Sequence, residues 1–249
     1  MKKIYFTNSL HQKICGVLEE PNRTLEQIVI MVHGHSSHKN GKSIRLMSEE
    51  LKKRRINSLR IDLDGCGESE GNFEDQTISS TVDDIISAIK LMKSEGYVRI
   101  YLFGSSGGGT AVMATALNYS SINKIGLKAP VADFPSHLLR KFGSEYITEW
   151  KEKGYHHFTS DDGRILKWNY TFFEDSKKYN IYNHAQKLRC PILIVHGTSD
   201  KSVDIENSRK LVSLLPQGRL IELIGADHGL AVEGDRSYSL KIFGDYFNE

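Results

Sequence analysis

Cysteine is scarce in this chain: Cys15, Cys66 and Cys190 stand alone, an odd number without C-x-x-C spacing. That pattern gives neither a disulfide framework nor a zinc knuckle, and makes a reducing compartment the default. Net charge is also small. Lys and Arg exceed Asp and Glu by two, so no global field draws the chain to nucleic acid or to an anionic membrane. No apolar run approaches a membrane span, and membrane insertion is not expected. The opening MKKIYFTNSLHQK has lysines but no long apolar stretch and no small-residue cleavage site, so a signal peptide is not expected and the cytoplasm is the expected location. The sequons at Asn22, Asn118 and Asn169 then carry no meaning. The basic run Lys52–Arg55 reads as the solvated end of a helix, where cations suit the helix dipole.

What is present is a chain of 249 residues, enough for one large domain with a sizeable core. No repeat or low-complexity tract divides it. Short β-type runs alternate with helical patterns. KKIYFT and KICGVLEE form an antiparallel opening pair, and QIVIMVH (27–33) is a continuous apolar run, as in a strand buried on both faces. Ile44, Met47 and Leu51 follow at helical spacing, then the strand INSLRIDL. Val82, Ile85, Ile86, Ile89 and Met92 mark an amphipathic helix, with Ser79, Ser80 and Thr81 as capping candidates. VRIYLF, INKIGLKA, PILIVHG and RLIELIG are further strands, with helices over TAVMATAL, IENSRKLVSLL and from about Gly234. Such repeated β-α units predict a mostly parallel sheet with helices on both faces. The alternation breaks over 131–188, which holds Trp150, Trp168 and about half of all the aromatics. This segment is expected to be an inserted cap over the carboxyl edge of a core formed by 1–130 and 189–249. Trp150, Trp168 and Phe134 are its candidate substrate contacts; the alternative for it is a packing insertion that never meets ligand.

GSSGG at 104–108 matches G-x-S-x-G, after a buried strand and before a helix, the setting of a nucleophile elbow. The glycine register selects Ser106 over Ser105. A phosphate-cradling loop would need Lys-Ser/Thr after the glycines, which is missing, so no cofactor is expected. A serine nucleophile needs a base, and the base an orienting acid. Both occur later in the chain in the order an elbow hydrolase uses: Asp200 after PILIVHG and His228 after RLIELIG. Asp204 is the rival acid but suits the start of the following helix, and Asp227 suits a turn.

His33, His35 and His38 offer a competing chemistry, a metal-dependent hydrolase. Zinc would need a carboxylate and distant partners as well, and Ser37 stands where a metallo-β-lactamase pattern has Asp, so no metal is expected. His33 is expected to brace the loop and His38 to lie on the surface. A peptidase of the prolyl-oligopeptidase type is not expected, for want of room for a large propeller.

VHGH (32–35), RIDLDGCGESEG (60–71), GSSGG (104–108), VHGTSD (195–200) and DHG (227–229) together resemble the α/β-hydrolase superfamily over essentially the whole chain. Within it the chain is most similar to the small bacterial carboxylesterases that include cinnamoyl (feruloyl) esterases. The resemblance implies an α/β-hydrolase fold, a Ser106-His228-Asp200 triad and oxyanion donation by the backbone N–H groups of Gly107 and His35. It implies hydrolysis of a small-molecule carboxylic ester through an acyl-enzyme, on bulky or aromatic acyl groups, with a thioesterase or small acyl-peptidase as the alternative. A homodimer is compatible with the sequence. The chain departs from that family at His35, where an apolar or aromatic residue is common, and at Ser105, where His is common.

Overall fold

The computed structural model describes residues 1–160, 163–232 and 236–249. The antiparallel opening is present: β1 (Lys2–Thr7) pairs with β2 (Lys13–Glu19). The α/β part then runs β3 (Gln27–Val32), α1 (Lys42–Lys53), β4 (Asn57–Ile61), α2 (Ile78–Ser94), β5 (Arg99–Ser105), α3 (Gly107–Asn118) and β6 (Ile122–Lys128). The interruption holds α4 (Phe134–Phe142), α5 (Ser144–Lys153), β7 (Tyr155–Thr159), β8 (Ile165–Asn169) and α6 (Thr171–Ser176). The chain closes with β9 (Ile192–Gly197), α7 (Glu206–Leu214), β10 (Gly218–Leu223) and α8 (Ser237–Asn248). The start expected for α8 at Gly234 lies outside the described residues.

Among the described residues the main sheet has the order β1-β2-β4-β3-β5-β6-β9-β10, parallel from β4 onward. Strand β3 shows why its sequence is apolar throughout. Ile28, Ile30 and Val32 face a core completed by Val82, Ile85 and Ile89 of α2 and Ala111 of α3. Val29 and Met31 face Ile44, Met47 and Leu51 of α1 and Phe243 and Phe247 of α8. Both faces are covered, so alternation with polar residues would leave unpaired groups in the core.

Two details go beyond the sequence expectation. Helix α2 starts earlier, with Thr77 as its cap. The Thr77 side chain accepts the Ser80 N–H and the Ser80 hydroxyl accepts the Thr77 N–H, a reciprocal box worth about 1 kcal/mol. Ile78 is buried in the core and draws the first turn into the helix, while Ser79 donates through its N–H and hydroxyl to Asp175 of α6. The 131–188 segment adds no strand to the main sheet but forms its own hairpin of β7 and β8. Its Phe134, Leu138, Ile147, Trp150, Trp168 and Phe172 belong to the same apolar cluster as α2 and α3, so the segment is built onto that face rather than around a core of its own.

Strand β3 has β4 on one side and β5 on the other, so the winding reverses there. Open α/β sheets bind ligands at the carboxyl ends of their strands beside such a reversal.

Candidate active site

The turn after β5 is a single residue. Ser105 ends the strand, Gly107 begins α3, and Ser106 between them has φ 53° and ψ −121°. A non-glycine residue at positive φ costs on the order of 1–3 kcal/mol and persists where its surroundings fix it. Here the Ser106 N–H donates to the Lys128 carbonyl at 2.8 Å, and its own carbonyl accepts the Gly109 N–H at 2.9 Å. The glycines allow a close approach that a side chain would prevent: a Cβ on Gly108 would lie 2.4 Å from the His33 carbonyl oxygen. Ser105 is buried at 6 % exposure, whereas Ser106 is partly open.

The loop after β3 packs on this turn. A Cβ on Gly34 would lie 3.3 Å from the Ser106 Cβ, and one on Gly107 would lie 3.5 Å from the His35 backbone nitrogen. The His35 amide thus stands beside the first residue of α3. His33 is the brace of the loop. Its Nε2 accepts the Leu63 N–H at 3.1 Å, so its proton is on Nδ1, which donates to the Gly34 carbonyl at 2.8 Å. Burial pushes its pKa down to about 4, and the ring is neutral at pH 7. With both His33 nitrogens committed and the His38 Nδ1 accepting the Asn40 N–H, the three histidines do not turn to a common point. Behind the loop, the buried Lys39 ammonium bonds Asp62 and Glu68.

Asp200 follows β9 and His228 follows β10, at the same edge of the sheet. The His228 Nδ1–H donates to Asp200 Oδ2 at 2.6 Å. The Asp200 carboxylate is fully buried and accepts more: the N–H groups of Ser202 and Val203 at 2.8 and 2.9 Å, and His196 Nε2 at 3.1 Å. His196 Nε2 also faces the Val203 carbonyl at 2.9 Å, so it carries the proton and Nδ1 accepts the Ser208 hydroxyl. Burial alone would raise the Asp200 pKa, but the donated hydrogen bonds from His196 and His228 outweigh it and hold the carboxyl well below the usual range. Asp200 is a fixed anion at the far end of the His228 ring. Asp204 accepts the Glu206 N–H at the start of α7, and Asp227 accepts the Ala231 N–H in a turn.

The insertion reaches the site through some of its aromatic residues. Phe134 Cζ comes within 2.9 Å of where a Gly107 Cβ would stand. Trp168 lies 4.3 Å from the His35 ring, which Phe73, Phe158 and Phe172 also surround at 5.0–5.8 Å. The His35 Nε2 in this cage is buried and has no hydrogen-bond partner among the described residues, and burial lowers its pKa to about 3. Trp150, in contrast, stands one ring further out. It donates to the Trp168 carbonyl at 2.9 Å and lines an outer cleft with Tyr146, Glu149, Tyr155 and His156. It is buried at 2 % exposure behind the Trp168 ring.

Sequence reasoning missed three residues here. His196 lies inside the quoted VHGTSD run, yet its bond to Asp200 is visible only once the turn is folded. His137, on α4, is a partly buried histidine with its pKa lowered to about 4, chiefly by desolvation, within electrostatic reach of His228 and Asp200. Lys128 carried a signal, a charge directly after the apolar run Ile125–Leu127 of β6.

The model of the prolyl oligopeptidase family matches residues 57–249, a span that contains the elbow, the acid and the histidine. The chain belongs to the prolyl oligopeptidase family. The match lies within the hydrolase fold, so want of room for a propeller does not bear on membership of this family. This family member is also 25% identical over 188 residues to the human palmitoyl-protein thioesterase ABHD10, mitochondrial, covering 74% of its own length and 60% of the relative's. It thus spans about three fifths of the curated relative. Among solved structures, Est1E from Butyrivibrio proteoclasticus with ferulic acid bound superposes with a TM-score of 0.82 at 24% identity, covering 98% and 96% of the two chains. Mouse α/β-hydrolase domain-containing protein 10 superposes with a TM-score of 0.81 at 19% identity, covering 100% and 97%. These likenesses show the α/β-hydrolase fold. Among the described residues no helix is long and apolar enough to cross a membrane.

Proposed function

We propose that this protein is a serine esterase that hydrolyses small-molecule carboxylic esters through an acyl-enzyme on Ser106. The observation that carries the reading is the 2.6 Å bond from His228 Nδ1 to a buried, ionised Asp200, at the sheet edge where Ser106 turns at positive φ. That bond fixes the tautomer, leaving His228 Nε2 with a lone pair to take a proton. In this mechanism Nε2 removes the Ser106 proton as the hydroxyl oxygen attacks the ester carbonyl. The amides of Gly107 and His35 hold the resulting oxyanion, an interaction whose loss costs on the order of 100-fold in turnover. Imidazolium then protonates the leaving alcohol, and water, activated by the same nitrogen, releases the acid. Asp200 stays ionised throughout and stabilises the imidazolium.

Residues 131–188 act in this reading as a cap whose Phe134 and Trp168 line the acyl side, and the aromatic cage suits bulky or aromatic acyl groups. The free cysteines suit the cytoplasm. A panel of p-nitrophenyl acetate, methyl ferulate and an acyl thioester on one sample tests the reaction class. Esters are expected to turn over with an initial burst of p-nitrophenol and to do so undiminished after strong chelation. Turnover of the thioester alone would move the substrate class. Activity lost on chelation and restored by zinc would overturn the serine mechanism.

A further inference from the structure

We propose that Lys128 is a positioning residue of this reaction, tying the turn that carries Ser106 to the loop that carries His228. The inference rests on the assignment of those two residues proposed above. Strand β6 is apolar towards its end, through Ile125 and Leu127, until a lysine closes it at 6 % exposure. Lys128 pairs with Ser105 of β5 on one side and Val195 of β9 on the other. Its carbonyl accepts the Ser106 N–H at 2.8 Å. Its ammonium donates to the His228 carbonyl at 2.7 Å. One residue therefore holds the nucleophile by its backbone and the base by its side chain.

A lysine at this buried strand end reaches the His228 carbonyl with a donor, which an apolar side chain there could not do. The His228 ring is anchored at Nδ1 by Asp200, which leaves it free to swing about that bond unless the backbone is also fixed. The Lys128 bond fixes that backbone at His228 itself, and Arg236 fixes it one residue on, donating to the Gly229 carbonyl at 2.9 Å. With ring tip and backbone both held, Nε2 has a set direction. A displacement of about 1 Å at such a point lowers a rate on the order of 100-fold.

The test compares wild type with Lys128→Met, Lys128→Arg and Lys128→Gln, whose amide ends one atom short of the Lys128 nitrogen. In Lys128→Met, kcat for p-nitrophenyl acetate should fall about 10- to 100-fold with KM little changed, and fluorophosphonate labelling of Ser106 should slow in parallel. The deshielded proton of the Asp200–His228 hydrogen bond should broaden or move in the proton NMR spectrum while the melting temperature holds. Lys128→Arg, which keeps the cation and its donors, should recover most of kcat. If Lys128→Met does not fold, Lys128→Gln is read in its place, and loss of folding in both would make Lys128 a stability residue and overturn the proposal. Wild-type kcat and labelling rate in a folded Lys128→Met would also overturn it. Absence of Ser106 labelling in the wild type would instead remove the underlying assignment.

Discussion

His35 performs two tasks that can be separated by substitution. Its backbone N–H stands beside Gly107, where any residue but proline would serve, and its ring fills an aromatic cage, its Nε2 without a hydrogen-bond partner among the described residues. A buried polar atom without a partner costs about 1–3 kcal/mol. His35→Phe is therefore expected to keep kcat for p-nitrophenyl acetate within a few-fold of wild type while stability in urea rises by about 1 kcal/mol. A large loss of kcat with the fold intact would show that the imidazole itself touches the substrate. The resemblance led one to expect an apolar or aromatic residue at this place, and the cage of Phe73, Phe158, Trp168 and Phe172 gives the physical reason.

The 131–188 insertion mixes two uses of large side chains. Trp168 packs on His35 at the site, whereas Trp150 packs behind it and donates to the Trp168 carbonyl. Trp168→Ala should raise the rate on bulky acyl esters relative to acetate by about 10-fold, the scale of a modest change in pocket fit, as measured by kcat/KM ratios. Trp150→Ala should instead lower stability by about 3–5 kcal/mol without changing those ratios. Equal ratios for wild type and Trp168→Ala would assign the whole segment to packing. Both tryptophans look alike in sequence, since aromatic content reports burial but not which neighbour is met. The regular elements were more legible. The i, i+3, i+4, i+7 stripe of α2 locates the helix, yet its first turn depends on Thr77 and Ser80 meeting each other and on Asp175, 96 residues away, taking Ser79.

At the scale of the molecule, the sheet edge assembles residues from distant parts of the chain, and that is where legibility divides. Ser106, Asp200 and His228 could be ordered in sequence because each follows a recognisable strand. Lys128 and His196 could not be assigned, because their partners are fixed by strand order and turn geometry. Assembly of buried histidines also sets an acid limit. His33 and His35, lowered by burial to about 4 and about 3, stay neutral in the fold, while in the unfolded chain they take up a proton below about 6.5. Their contribution to stability is present above that pH and is lost as pH falls towards 4, by on the order of 1 kcal/mol per pH unit for each. Asp84, whose pKa burial raises, acts in the opposite sense, so the comparison is a difference between chains. Urea unfolding of wild type and His35→Phe should diverge progressively from pH 6.5 downward, the variant losing less. Parallel curves would mean that His35 is protonated in the fold.

In the proposed mechanism Ser106 forms the covalent intermediate. Peptide mapping after reaction with a fluorophosphonate tests it most directly. One adduct is predicted, on Ser106, formed by wild type and lost in Ser106→Ala with Ser105 left in place. An adduct on Ser105 or elsewhere, or labelling that persists in Ser106→Ala, would contradict it.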